Sequence, residues 1–119
     1  MKYLLLIYSK EKENGRMTEE DRKKLEEYEV YTKELVAAGI LRGGEALQPS
    51  ASAVTVRLDE KKVVSPNPYS NSQEQISGFY VLECETKEAA VEWAAKCPDA
   101  KTGVIEVRPV FEIPAPAKQ

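Results

Sequence analysis

The sequence contains no histidine, so the side chain that most often serves as a general base or a zinc ligand near neutral pH is absent. This absence excludes a Ser-His-Asp triad and a histidine zinc site, and we expect neither a metal nor a cofactor. The chain has only two cysteines, Cys84 and Cys97, and no pattern typical of an export signal. Both thiols are therefore expected to be reduced and buried.

A basic excess and long apolar runs are also missing. Lys and Arg number 17 against 20 Asp and Glu, which gives a formal charge of −3 and argues against a nucleic acid partner. The longest apolar run, Tyr3 to Tyr8, has the length of one buried strand and is far too short to span a membrane. We expect a cytoplasmic protein with no membrane partner.

The length of 119 residues suits one domain with a modest core. We predict a single domain over residues 1–112. The segment that follows, 113–119, contains Pro114 and Pro116 and is expected to hang free of the domain.

Local signals place the secondary structure. Thr18 and Thr86 are suitable helix N-caps, and Gly39 suits a left-handed helix end. The Gly43-Gly44 pair indicates a β-bulge, and Ser70 to Gln75 is expected to form one helical turn. Strands are predicted at 1–8, 40–47, 53–58, 63–64, 78–84 and 103–111, with 53–58 and 63–64 paired as a hairpin.

The order strand, helix, strands, helix, strand favours an antiparallel sheet with both helices on one face. We therefore predict an α+β fold with a ferredoxin-like protomer. Apolar residues spaced three and four apart identify the buried side of each helix. The predicted positions are Leu25, Tyr28, Thr32, Leu35 and Val36 in the first helix, and Ala90, Trp93, Ala94 and Cys97 in the second.

The sheet face away from the helices carries both apolar and charged side chains. Alternation along the last two long strands places Phe79, Val81, Val104 and Val110 there, together with Glu83, Glu106 and Arg108. So large an apolar patch is unusual on a monomer, and a second copy related by two-fold symmetry is the usual cover. We expect a homodimer in which two sheets face each other across a small polar cleft.

The cleft is the predicted site for a small-molecule ligand. The predicted ligand-binding residues are Arg57, Tyr69, Tyr80, Glu83 and Arg108. For a catalysed reaction, the predicted catalytic carboxylates are Glu45 and Glu106. An alternative stays open at this point: Glu106 with Arg108, or Glu83 with Arg57, are interfacial ion pairs that fix the dimer and bind no ligand.

Four stretches of the chain form a recognisable set: Lys2 to Tyr8, Gly39 to Pro49, Trp93 to Pro98, and Glu106 to Val110. Together they resemble the YCII-related proteins of the DGPF subgroup, and the resemblance spans nearly the whole chain. It implies a dimeric α+β barrel built from two ferredoxin-like protomers.

The chain departs from that subgroup at two places. Where the subgroup carries Asp-Gly-Pro-Phe, this sequence has Pro66-Asn67-Pro68-Tyr69, which loses the carboxylate but keeps a residue, Asn67, that tolerates a left-handed backbone. The wider family has a first-helix histidine proposed to work with an aspartate, and Tyr28 aligns with it here. Tyrosine is a poor base at neutral pH.

We expect a dimeric protein that binds a small anionic or aromatic ligand between the sheets. Two alternatives remain: a small-molecule lyase or isomerase with a carboxylate base, or an interaction protein linked to sigma-factor regulation. Both alternatives come from associations within the family.

Overall fold

The computed structural model describes residues 1–11 and 17–114. Most of the segment predicted to hang free, 113–119, lies outside the described residues. The strands are β1 (Lys2–Lys10), β2 (Leu41–Ala46), β3 (Val54–Leu58), β4 (Lys62–Pro66), β5 (Glu74–Glu83) and β6 (Val104–Pro109); the helices are α1 (Glu19–Ala37) and α2 (Lys87–Lys96), and short 3₁₀ turns cover Ser50–Ser52 and Pro98–Ala100.

Two antiparallel sheets form. Four strands make the main sheet in the order β2-β5-β1-β6, and β3 and β4 pair as a separate hairpin. The central pair runs from Lys2 opposite Glu83 to Lys10 opposite Glu74, with one bulge beside Ile7 and Tyr8. This strand order, with one helix after β1 and one after β5, is that of a ferredoxin-like α+β fold, as predicted.

Both helices pack on the same face of the main sheet. Alternate residues of β1 point into one buried cluster, which also receives side chains from each helix. Because β-strand side chains alternate, the remaining residues of β1 point to the other face. The cluster consists of Tyr3, Leu5, Ile7, Tyr31, Leu35, Leu82, Cys84, Ala90, Ala94 and Cys97.

The predicted helix ends and cysteines are confirmed. Thr18 caps α1 in a capping box with Asp21, and Thr86 Oγ1 accepts a hydrogen bond from the Ala89 amide at 3.1 Å. Gly39 follows α1 with φ 73°, a backbone conformation that favours glycine. Cys84 and Cys97 are free thiols and both are buried.

The prediction for the buried side of α1 was partly wrong. Leu25 and Val36 are exposed, and Tyr31 with Leu35 forms the buried stripe, beside a partly buried Tyr28. Tyr31 and Leu35 are four residues apart and so share one side of the helix, whereas Val36 is turned about 100° from Leu35 toward solvent.

The helical turn predicted at Ser70 to Gln75 is wrong. Residues 70–73 are irregular and β5 begins at Glu74. Ser70 Oγ accepts a hydrogen bond from the Ser72 amide at 3.3 Å, and Ser72 Oγ accepts one from the Glu74 amide at 3.2 Å. Serine hydroxyls that bind nearby backbone amides favour turns over helix.

The strand bulge and the hairpin are as predicted. The pairing of β2 with β5 shifts register between Leu41 and Gly43. The β3–β4 hairpin, which we call the arm (Val54–Pro66), is closed at its base by a 2.9 Å bond from the Asn67 amide to the Ala53 carbonyl. Asn67 has φ 80°, the left-handed backbone anticipated for it.

Candidate functional site

The face of the main sheet opposite the helices, here called the open face, mixes apolar and charged side chains. The register pairs Leu4 with Val81 and Arg108, and Leu6 with Phe79 and Glu106. All of these side chains therefore point away from the helices, as predicted for Phe79, Val81, Glu106 and Arg108.

Three polar side chains meet at the β6 edge of the open face. The Tyr8 hydroxyl donates to Glu106 Oε1 at 3.2 Å, and Arg108 Nε donates to Glu106 Oε2 at 3.0 Å. We call this group the Glu106 cluster. Both carboxylate oxygens thus have a donor, and the Arg108 side chain stays 67% exposed. The cluster fixes the arginine on the sheet while leaving most of its side chain accessible.

The Glu106 cluster is better suited to holding charges and hydrogen bonds in place than to transferring a proton. Hydrogen bonds from Arg108 and then from Tyr8 hold the pKa of Glu106 below its usual value. Burial, followed by the hydrogen bond to Glu106, raises the pKa of Tyr8 above its usual value. At neutral pH, Glu106 is therefore a weakly basic carboxylate and Tyr8 a neutral donor, which makes Glu106 a poor general base.

A groove adjoins the cluster. It has a volume of about 260 Å³ and is lined by Tyr8, Ser70, Ser72, Glu74 and Val104. Tyr8 belongs to both the groove and the Glu106 cluster, so a molecule lying in the groove would contact the ring whose hydroxyl binds Glu106. The serine hydroxyls and the Glu74 carboxylate are the polar groups of the wall, and Tyr8 and Val104 supply its aromatic and aliphatic part.

Glu83 and Glu45 lie elsewhere on the main sheet. Glu83 Oε2 forms an ion pair with the amino terminus of Met1 at 2.6 Å, and this hydrogen bond lowers the pKa of Glu83. Glu45 is exposed on the edge strand β2, opposite Phe79. Two strands, β5 and β1, separate β2 from β6, so Glu45 and Glu106 do not share one site within a protomer.

The arm and the helix-covered face hold the other predicted ligand residues. Arg57 lies over the Tyr69 ring, with its guanidinium carbon 5.8 Å from the ring centre, and both residues are on or beside the arm. Tyr80 lies on the helix-covered face, where its hydroxyl is 2.8 Å from the Thr32 hydroxyl. Because side chains alternate along β5, Tyr80 cannot share the open face with Phe79, and its predicted place in the cleft is corrected.

A second polar cluster was missed by sequence reasoning. Asp99 is only 5% exposed, yet three groups donate to its carboxylate. These are Lys24 Nζ at 2.7 Å, the Tyr28 hydroxyl at 2.6 Å and the Thr102 hydroxyl at 3.2 Å. Tyr28 was a signal that could have led to it, because it aligns with a histidine that is proposed to work with an aspartate in the resembled family.

These side chains, here called the Asp99 cluster (Lys24, Tyr28, Asp99 and Thr102), stabilise the fold and are not arranged for catalysis. Burial opposes ionisation of Asp99, but the hydrogen bonds from Lys24 and Tyr28 outweigh it, so the pKa of Asp99 lies below its usual value. Burial raises the pKa of both Tyr28 and the nearby Cys97 thiol, so neither becomes a nucleophile at neutral pH. The cluster joins α1 to the turn that leads into β6.

Two further observations concern the part of the chain that the structure describes. No three Cys, Asp or Glu side chains in residues 1–11 and 17–114 lie close enough together to hold a metal ion. In the same residues, neither helix combines the length and the apolar character needed to cross a bilayer.

The fold and sequence together define the class of the protein. A ferredoxin-like α+β sheet is found, and the YCII-related domain matches residues 1–114. An uncharacterized protein of Rhizobium meliloti (strain 1021) is 30% identical over 114 residues, covering 92% of this chain and 92% of the relative. The chain therefore belongs to the YCII-related domain family.

Proposed function

We propose that the protein is a homodimer that binds a small anionic aromatic molecule between the open faces of its two sheets. The Glu106 cluster is the observation that carries this proposal. It holds an arginine, 67% exposed, beside the apolar side chains Leu4 and Leu6. A cation fixed next to an apolar surface complements a ligand that has both a ring and a negative charge.

The donor chemistry of Arg108 supports an oxyanion ligand. Glu106 accepts from Nε alone, so the two terminal nitrogens keep donors for a carboxylate or phenolate. Because Glu106 partly offsets the arginine charge, the bidentate hydrogen bonds, and not long-range attraction, would supply most of the selectivity. Tyr8, whose hydroxyl binds the same carboxylate, limits the rotation of Glu106 and so positions Arg108.

The apolar open face supports the dimer. Leu4, Leu6, Phe79 and Val81 form a contiguous patch on a sheet whose helices lie on the other side. Covering such a patch with an identical one removes both from water, which stabilises association by roughly 25 cal/mol for each Å² of apolar surface. The ligand site is then the space enclosed between the two Glu106 clusters.

Turnover through a carboxylate base receives less support. The lowered pKa of Glu106 makes it a weak base, and Glu45 lies on the opposite edge of the sheet. Asn67, with φ 80°, supports placing the chain beside the DGPF subgroup, whose motif has glycine at that position. That subgroup's aspartate has no counterpart here, in keeping with a binding role.

A titration with benzoate and salicylate tests the proposed site. We expect both to shift amide resonances of β6 at about 1 mM, and the Arg108→Gln variant to bind at least about tenfold more weakly, which is about 1.4 kcal/mol. Arg57→Gln removes the same charge from the arm and is the matched control, with affinity unchanged. Benzyl alcohol, which lacks the anion, should bind equally to wild type and to Arg108→Gln. No shifts at 1 mM, or equal losses in the two variants, would refute the site.

A further inference from the structure

The arm presents an apolar surface that the described residues leave uncovered. Its two strands pair Val54 with Pro66 and Val56 with Val64, so these four side chains and Leu58 project from one side. Val54, Val56, Leu58 and Val64 are between 53% and 80% exposed. The other side carries Thr55, Arg57 and Ser65 with one apolar residue, Val63, and Lys62 lies beside Leu58 on the first side, so one face of the ribbon is mainly apolar and the other mainly polar.

The arm stands away from the core of the chain, because none of its residues belongs to the buried cluster or packs against it. A two-stranded hairpin with no surface to pack on is at best marginally stable in water. A partner that covers the apolar side would therefore stabilise the arm as well as bury it.

We propose that the arm reaches across the dimer and packs its apolar side on the second copy of the chain. This inference rests on the proposed dimer and adds a second contact surface to it. The four strands have 6, 10, 9 and 6 residues, and at about 3.4 Å per residue and about 4.8 Å between strands they give the open face a flat area of roughly 500 Å². A stable interface buries about 800 Å² of accessible surface per partner, and the exposed apolar side of the arm adds to what the open face supplies.

The charges of the arm favour a second copy over a membrane. Asp59 and Glu60 at the tip are followed by Lys61 and Lys62, so the tip carries no net charge. Binding to an anionic lipid surface depends on basic residues around the apolar ones, and the tip lacks that excess. A neutral tip can approach an identical protomer without repulsion, and two-fold symmetry gives each protomer one arm to receive.

Light scattering after gel filtration tests the arm. We expect wild type to have twice the 13.3 kDa mass of one chain. Val56→Glu places a charge on the apolar side and should raise the dimer dissociation constant about a hundredfold, a change of about 2.7 kcal/mol. Ser65→Glu adds the same charge at an exposed position on the opposite side and is the matched control, with a change of less than about threefold.

The outcomes separate the arm from the dimer itself. If both variants keep the wild-type dissociation constant while Leu6→Glu dissociates the dimer, the open face pairs without the arm and the inference is overturned. A wild-type mass of 13.3 kDa overturns the proposed dimer and the arm contact together.

Crosslinking tests the arm without relying on a variant that has to dissociate. Leu58→Cys, labelled with a photoreactive benzophenone, is mixed with isotope-labelled chains and irradiated. Crosslinks between a benzophenone-bearing chain and an isotope-labelled chain support the arm contact. Crosslinks confined within the benzophenone-bearing chain overturn it.

Discussion

Replacing Asp99 with asparagine is expected to lower the free energy of unfolding by about 3 kcal/mol at pH 7, because hydrogen bonds to a buried charged group contribute about 1.5–3 kcal/mol each. Asparagine keeps one acceptor oxygen, but it presents an amide where Tyr28 or Lys24 now donates. Urea unfolding followed by circular dichroism measures the change.

Asp59→Asn is the matched control for Asp99→Asn. Asp59 lies in the exposed turn of the arm, so its replacement should alter the free energy of unfolding by less than about 0.5 kcal/mol. Equal effects of the two substitutions would mean that the Asp99 cluster contributes nothing particular to stability.

The effect of Asp99→Asn should also depend on pH. The folded pKa of Asp99 lies below the value of about 3.9 expected in the unfolded chain. Its carboxylate therefore contributes its full stabilisation above roughly pH 5, and that contribution is lost as the pH falls through the folded pKa. The difference between wild type and the variant should shrink on acidification; a difference that stays constant down to pH 3 would contradict the ionised cluster.

Gly103→Ala is expected to destabilise the protein by about 3 kcal/mol. A methyl group on Gly103 would meet the backbone carbonyl oxygen of Tyr8 at far less than contact distance. Because that oxygen belongs to the central strand, β6 itself would have to move, and forcing extra atoms into a packed region costs about 1–3 kcal/mol or more. Thermal unfolding measures the loss.

The control is Gly43→Ala on the edge strand β2. There the added methyl would lie 3.8 Å from Val81 Cγ2, an ordinary contact, so we expect a change of less than about 1 kcal/mol. If Gly103→Ala were as well tolerated as Gly43→Ala, the close approach of β6 to β1 beside Tyr8 would be incorrect.

Asp99 and Gly103 together explain how the Glu106 cluster is positioned. The Gly103 amide donates to the Asp99 carbonyl at 2.7 Å, directly before β6 begins. Asp99 is in turn held to α1 through Lys24 and Tyr28. The start of β6 is thus anchored on the helix side, and two residues further along the strand Glu106 meets Tyr8 on the open face.

Local sequence signals predicted the parts of the fold that local interactions determine. Thr18 and Thr86 were recognisable as caps because their hydroxyls bind amides within the next turn. Alternation along β5 and β6 correctly separated Leu82, Ile105 and Val107 from the open face. These features depend on residues a few positions apart, so the sequence contains the necessary information.

Features that depend on distant residues were harder to predict. Asp99 receives donors from Lys24 and Tyr28, more than 70 positions away in the chain, and nothing in its local sequence marks it as buried. The alternation of β3 identified the hairpin, but it could not show that Arg57 would stand away from Glu106. The hydrogen bond from Tyr8 to Glu106 could not be predicted from local sequence, because it depends on the pairing of β6 beside β1.

A crystal structure of the protein purified without added ligand tests the central claim most directly. We predict two protomers whose four-stranded sheets face each other, with Leu4 and Leu6 covered and the Arg108 side chains directed into the enclosed space. A lattice in which the open face of every protomer is left to solvent, with Glu106 and Arg108 facing no second sheet, would contradict both the dimer and the binding site.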